Sequence, residues 1–160
     1  VTSHSPHDDL SYLESAEIII GHVAEGIDLA KRHHLPDIII DFIRTHHGTS
    51  RVEYFYRKYK EGHPDQDQFS QFQYPGPKPF SKETAILMMS DAVEASTRSI
   101  PNKTQDALCQ MIDRVIDFQL KTGQLDNADI TLKEVGIIRE AFKKFMRGMY
   151  HLRIEYPEDK

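Results

Sequence analysis

The 160-residue sequence is poor in cysteine and in long apolar runs. Cys109 is the single cysteine, so no disulfide can form within the chain and a reducing compartment is compatible with it. No apolar run approaches the ~20 residues of a transmembrane helix, and no secretory signal leads the chain. If the parent protein is bound to a membrane, we expect its anchor to lie outside these residues, which then make no direct membrane contact.

An excess of positive charge is also missing. The chain has 20 Lys and Arg residues against 25 Asp and Glu residues, a net charge of −5. This balance argues against a DNA or RNA partner, and an anionic substrate would need a local positive centre such as bound metal ions. Because 39% of the residues are hydrophobic and 28% are charged, the composition is that of a globular protein. The length suits a single domain, residues 1–160.

What the sequence does contain is helical periodicity. Apolar residues recur at intervals of three and four, which is the spacing of one helix face. Pro36 and the Thr131–Glu134 capping box mark helix starts, and Gly48 and Gly123 mark helix ends. The predicted helices are 10–31, 36–47, 50–61, 81–99, 104–122 and 131–152. We therefore predict an all-α fold, a helical bundle of about six helices.

Two of these helices have faces that can be assigned. In the first, Ile18 and His22 lie on a second apolar face, so we predict that His22 is sheltered between neighbouring helices. In the last, steps of three and four residues from Val135 predict that Phe145 and Met149 face the core.

A proline-rich loop separates the third and fourth predicted helices. Residues 62–80 contain four of the eight prolines. A loop of this length is uncommon in a compact domain, so it is either functional or mobile. Lys78 lies in its constrained PGPKP stretch and is a reasonable partner for a substrate phosphate, with a solvated loop lysine as the equal alternative. Tyr74 could stack on adenine, although an aromatic residue more often belongs to a core.

Four side chains have the chemistry of metal ligands: His22, His46, His47 and Asp91. Imidazole combined with carboxylate suits divalent Fe, Mn, Zn or Ni, ions that polarise a phosphoryl oxygen. Adjacent helical residues diverge by about 100°, but two histidines in the last turn of a helix can still converge beyond its end. Gly48 would then let the backbone leave without a Cβ in the way.

Each candidate also has a purely structural explanation. A sheltered His22 is more often a hydrogen-bonded core residue than a ligand. His46 and His47 could cap the end of their helix, where the dipole favours imidazolium. Asp91 shares a helical stripe with Arg98, the usual pattern of a solvated face with ion pairs. Spacing alone leaves these alternatives open.

Several segments resemble one family of phosphohydrolases. They are HVAEGIDLA, IRTHHGT, YPGPKP, DAVEASTRS, TGQLDNADITLKEV and HLRIEYPE, in this order along nearly the whole chain. Together they resemble the cytoplasmic HD domain of the seven-transmembrane receptor HD family, the PgpH-type cyclic di-AMP phosphodiesterases. YPGPKP and RIEYPE are specific to this subfamily, whereas an HH pair is not. The resemblance implies an HD-type helical bundle.

The resemblance also implies a site and an activity. The family's metal ligands fall on the four side chains already named: His22, His46, His47 and Asp91. We assign substrate binding to Lys78 and Arg98, although Arg98 is also placed to pair with Glu94. The implied activity is hydrolysis of a cyclic dinucleotide, cyclic di-AMP to pApA, with two divalent ions, Fe or Mn. The implied location is the cytoplasmic side of a bacterial inner membrane, in a membrane-anchored protein.

One element of the family pattern is missing from the sequence. The family's earlier histidine and its His-Asp dyad, typically within HDIGK, have no counterpart, and the aspartate of that dyad bridges two metals. His7 and Asp8 lack the apolar-Gly-basic run that follows the dyad and resemble a separate NPHD element. We therefore expect that the chain starts after the first ligands, with its bundle incomplete at the N-terminus, and that alone it has little or no activity. The alternatives are an HD hydrolase of another nucleotide, and a non-catalytic helical module that binds a nucleotide or a partner helix.

Overall fold

The computed structural model describes residues 10–66 and 68–151, except for the side chain of His151. The described residues form six α-helices and a short 3₁₀ helix. These are α1 (Tyr12–Arg32), α2 (Asp37–Thr45), α3 (Glu53–Gly62), the 3₁₀ helix Phe69–Phe72, α4 (Lys82–Arg98), α5 (Gln105–Lys121) and α6 (Leu132–His151). The predicted all-α fold is confirmed. Within this part of the chain no helix is both long and apolar enough to cross a membrane. The His7–Asp8 pair and the RIEYPE segment lie outside the described residues.

The helix ends follow from local sequence signals. Thr131 and Glu134 form the predicted capping box at the start of α6: the Glu134 N–H donates to Thr131 Oγ1 at 3.2 Å, and the Thr131 N–H donates to Glu134 Oε2 at 2.8 Å. After α2 and α5, Gly48 and Gly123 have φ angles of 52° and 67°. A residue with a side chain rarely adopts these left-handed angles, so the predicted stops are confirmed.

The chain divides into two compact units, Val1–Lys78 and Pro79–Lys160. In the first unit α1 packs against α2, α3 and the 3₁₀ helix. Its buried cluster consists of Ala16, Tyr59 and Phe72, with Leu13, Phe55 and Tyr56 packed against it. In the second unit α5 packs against both α4 and α6. Its core consists of Ala85, Met89, Val93, Leu108, Met111, Ile112, Ile116, Leu125, Val135 and Met146. The single domain over residues 1–160 stays a prediction.

The buried face of α6 differs from the predicted one toward the end of the helix. Val135 is buried as expected, but Phe145 and Met149 are 65% and 52% exposed. Met146 is buried in their place, and Tyr150 packs against the same core. The prediction used a period of 3.5 residues, whereas a straight helix has 3.6 and drifts by about 20° per seven residues. At about 100° per residue, Phe145 lies about 80° from Val135 around the helix axis, whereas Met146 lies within about 20° of it.

An ion pair connects the starts of α4 and α6 in the second unit. Lys82 Nζ donates to Glu134 Oε1 at 2.7 Å. This hydrogen bond, followed by those from the backbone and hydroxyl of Thr131, lowers the pKa of Glu134 to about 2. Because the folded-state pKa lies below the unfolded value, the carboxylate stabilises the fold above the unfolded pKa, and that stabilisation is lost as the pH falls through the folded pKa.

The core of the second unit predicts a contrast between two isoleucines. Ile112→Ala should lower the free energy of unfolding by about 2–5 kcal/mol, because the fully buried side chain leaves a cavity. Ile137→Ala is the matched control, since that side chain is 61% exposed, and should change stability by no more than about 0.5 kcal/mol. Guanidinium denaturation followed by circular dichroism measures both. Equal losses would contradict the assignment of the α6 face.

The Glu134 contacts predict a pH-dependent effect. Glu134→Gln should lower the denaturation midpoint at about pH 7, where the carboxylate is ionised, and the difference from the unmodified chain should narrow as the pH falls between about 4.5 and 2. Urea denaturation at about pH 7 and about pH 3 measures that difference. A difference of the same size at both pH values would show that ionisation of Glu134 contributes nothing.

Candidate metal centre

The histidine pair lies where α2 ends. His46 is the C-cap residue of α2, and the chain then turns through His47 and Gly48. The turn is held by backbone bonds: the Gly48 N–H donates to the Thr45 carbonyl at 2.9 Å, and the Ser50 N–H donates to the His47 carbonyl at 3.0 Å. Both imidazoles therefore project from a fixed turn beyond the helix end, an arrangement that the spacing allowed but left open.

His22 joins this pair from α1. Its Nε2 atom lies 3.1 Å from His46 Nε2, and its ring centroid is 5.0 Å from that of His47. The His46 and His47 ring centroids are 4.0 Å apart. One potential ligand atom from each of the three residues lies within 4.8 Å of the others. The structure thus brings together three of the four side chains predicted as ligands.

The prediction that His22 is sheltered between helices is wrong. His22 is exposed, and Ile18 on the same face is 56% exposed. The reason is that α1 packs against α2 and α3 through its other face, which carries the buried Ala16, Val23 and Ala30. The structural alternative of a buried core histidine is therefore excluded for His22.

Backbone carbonyls fix the tautomers of two of the histidines. His22 Nδ1 donates to the Ile19 carbonyl, and His46 Nδ1 donates to the Ile43 carbonyl at 2.6 Å. A carbonyl oxygen only accepts, so in each ring the proton is on Nδ1. In a neutral ring this leaves a lone pair on Nε2, which is the form that binds a metal ion. The two Nε2 atoms are those that lie 3.1 Å apart.

His47 is held in its neutral form by its surroundings. Burial, and then the nearby His46 and His22, lower the pKa of His47 to about 3. One side of its ring is covered by Tyr74, with the ring centroids 4.3 Å apart and an angle of 26° between the planes. At neutral pH this imidazole is therefore a neutral base. Tyr74 is buried, so it is not exposed for the adenine stacking considered above.

Part of the proline-rich loop is hydrogen-bonded to the chain that follows the turn at residues 46–48. The Val52 N–H donates to the Phe72 carbonyl and the Tyr74 N–H donates to the Ser50 carbonyl, each at 2.8 Å. Between them, Arg51 and Gln73 form an antiparallel bridge. This pairing holds Tyr74 beside His47. Sequence reasoning missed the contact, although Pro75 offered a signal, because a residue before proline favours the extended backbone that such pairing needs.

The remaining predicted site residues lie elsewhere in the chain. Asp91 is half-buried in α4 of the second unit. Arg98 is exposed at the end of the same helix and forms the ion pair anticipated with Glu94, with Nε 3.1 Å from Oε2. Lys78 is half-buried at the end of the first unit. The ligand role of Asp91 and the substrate roles of Lys78 and Arg98 stay predictions.

Two curated bacterial proteins are similar to the chain, although no family model matches it. A Listeria monocytogenes protein named cyclic-di-AMP phosphodiesterase PgpH is 42% identical over 156 residues, which are 98% of this chain and 22% of that protein. A Bacillus subtilis protein of the same name is 40% identical over 154 residues, 96% of this chain and 22% of that protein. The chain therefore spans about a fifth of the length of these relatives.

Solved structures match the chain over nearly its whole length. The crystal structure of the HD domain of L. monocytogenes phosphodiesterase PgpH has a TM-score of 0.87 at 38% identity, covering 94% of this chain and 70% of that one. The same domain in complex with cyclic-di-AMP has a TM-score of 0.89 at 41% identity, covering 95% and 71%. Sequence identity and coverage at this level indicate membership of the same family as well as a shared fold. The HD fold predicted from the sequence is confirmed, and the chain belongs to the PgpH family of HD domains.

Proposed function

We propose that this chain is the larger part of a metal-dependent HD domain that hydrolyses cyclic di-AMP to pApA in the protein that contains it. Two relatives carry the name of that activity, and one matching structure holds cyclic-di-AMP. The observation that carries the proposal is the approach of two imidazole Nε2 atoms, from His22 and His46, to 3.1 Å. The protein would act at the cytoplasmic side of a bacterial inner membrane, to which a part outside this chain would anchor it.

The geometry of these two nitrogens fits a bound cation. With Nδ1–H of each ring bonded to a carbonyl, both Nε2 lone pairs face the same small space, and two lone pairs at this distance repel each other unless a cation lies between them. Two nitrogens that bind one ion at about 2.1 Å and at right angles lie about 3.0 Å apart. A shared proton is the other cation of suitable size, and metal analysis separates the two.

The third imidazole and the carboxylate complete the proposed donor set. His47 stays neutral at pH 7 for the reasons given above, and metal binding requires a neutral imidazole. Asp91 would supply the oxygen donor. Nitrogen and carboxylate donors together suit first-row divalent ions, and we infer two of them, Fe or Mn, in the complete domain.

Each part of the chain would then have a defined role in the reaction. Divalent ions supply Lewis acidity toward phosphoryl oxygens and lower the pKa of water. The Ile19 and Ile43 carbonyls would keep His22 and His46 in the tautomer that presents Nε2 to an ion. Lys78, a cation on a segment stiffened by prolines, would bind a phosphate of the cyclic dinucleotide. Arg98 would do so only after leaving Glu94, with which it now pairs.

Metal binding is the first test. The unmodified chain should bind Mn²⁺, and His46→Ala should weaken binding by at least about tenfold because one of the converging nitrogens is lost. His33→Ala is the matched control, since His33 is exposed at the C-cap of α1, and should bind as the unmodified chain does. Isothermal titration and elemental analysis measure the affinity and the stoichiometry. Unchanged metal content in His46→Ala together with lost stability would show that the histidines are structural.

Hydrolysis is the second test. In the protein that contains this chain, His46→Ala and Asp91→Asn should each lower the turnover of cyclic di-AMP by at least about tenfold, while His33→Ala should not. A panel with cyclic di-GMP and a deoxynucleoside triphosphate identifies the substrate class, and preference for either would contradict the proposal. The low activity expected of the 160 residues alone stays a prediction.

A further inference from the structure

Tyr74 contacts two of the three clustered histidines. Its ring stacks on that of His47 with a centroid separation of 4.3 Å. Its ring meets that of His22 edge to face, with the centroids 6.1 Å apart and an angle of 83° between the planes. Tyr74 is only 7% exposed. A buried ring that covers one face of an imidazole limits the rotation of that imidazole and keeps water from it.

The backbone around Tyr74 is fixed from both sides. On the N-terminal side, Phe72 is completely buried against Tyr56 and Tyr59. On the C-terminal side, Gly76 has φ 90°, and a Cβ on it would lie 3.1 Å from the methyl carbon of Thr49. The segment therefore lies directly against the turn that carries the histidine pair, and its approach depends on a glycine.

We propose that Tyr74 is a positioning residue for the metal centre, which holds the His47 imidazole in the orientation that converges with His22 and His46. This role rests on the proposed function, because the orientation of the three imidazoles affects activity only if they bind an ion. The other two imidazoles are each fixed by a backbone carbonyl through Nδ1. The ring of His47 is also restrained by the stacked ring of Tyr74, which comes from a different part of the chain.

The positioning role of Tyr74 agrees with the order of the histidine turn and the Phe72–Tyr74 segment along the chain. His46 and His47 leave α2 on a turn whose own hydrogen bonds are local, from Gly48 to Thr45 and from Ser50 to His47. Pairing of the Phe72–Tyr74 segment with Ser50 and Val52 stiffens that turn, and it places the aromatic ring on the second histidine. Pro75 favours the extended backbone that Tyr74 needs for this pairing.

The test measures two quantities in the same set of variants. The first is the proton chemical shift of the His47 imidazole in the metal-free chain, which the ring current of a stacked tyrosine moves upfield. The second is the affinity for Mn²⁺. Tyr74→Leu should remove the upfield shift and weaken Mn²⁺ binding about tenfold, in the range found for groups that orient metal ligands. Tyr74→Phe keeps the ring and should restore both quantities.

Two further variants separate positioning from general stability. Leu13→Ala removes a partly buried side chain at the start of α1, nine residues before His22, and it should lower the denaturation midpoint but leave the His47 shift and the Mn²⁺ affinity unchanged. Gly76→Ala pushes the segment away from Thr49 without removing a ring, and it should change both quantities in the direction of Tyr74→Leu, so the proposal remains testable if Tyr74→Leu does not fold.

The outcomes distinguish this role from the proposed function. If Leu13→Ala weakens Mn²⁺ binding as much as Tyr74→Leu, or if Tyr74→Leu or Gly76→Ala binds Mn²⁺ as the unmodified chain does, the positioning role is overturned while the metal centre stands. If the unmodified chain binds no Mn²⁺, the proposed function falls and the role of Tyr74 falls with it, whatever the imidazole shift shows.

Discussion

Two hydrogen bonds from histidine rings to their own helices determine the chemistry of the centre. His22 Nδ1 donates to the Ile19 carbonyl, and His46 Nδ1 donates to the Ile43 carbonyl. Each bond settles both the tautomer and the direction of its ring, so the two Nε2 lone pairs meet at 3.1 Å. Without these bonds either nitrogen could carry the proton, and the two rings could share a hydrogen bond instead of a metal ion.

The rest of the first unit keeps these rings together. Packing of α1 against α2 brings His22 to the end of α2. Gly48, at φ 52°, turns the chain away without a side chain that would enter the site. The Phe72–Tyr74 segment then pairs with the chain that follows this turn, and Tyr74 covers His47. The centre is thus built from a helix face, a helix end and an extended segment that is restricted by proline.

Local signals could be predicted from the sequence, whereas tertiary partners could not. Gly48 after His47 predicted the end of α2, because a left-handed stop is a property of a few residues, whereas the spacing of the two histidines left open whether they converge. The exposure of His22 was misjudged, since an apolar helix face does not reveal whether another helix covers it. Phe145 was misplaced because steps of three and four residues overlook that, at about 100° per residue, it lies about 80° from Val135. The contact of Tyr74 with His47 depends on pairing between segments twenty or more residues apart; Pro75 indicated the extended backbone of Tyr74 but not the segment with which it pairs.

X-ray absorption at the metal edge of the Mn²⁺-loaded chain shows whether the three histidines bind the ion. A centre built from them should give a first shell that contains nitrogen at roughly 2.1 Å, with the multiple scattering that marks at least two bound imidazoles. A shell made only of oxygen, with no imidazole scattering, would show that the ion binds elsewhere and that the three histidines meet for structural reasons alone.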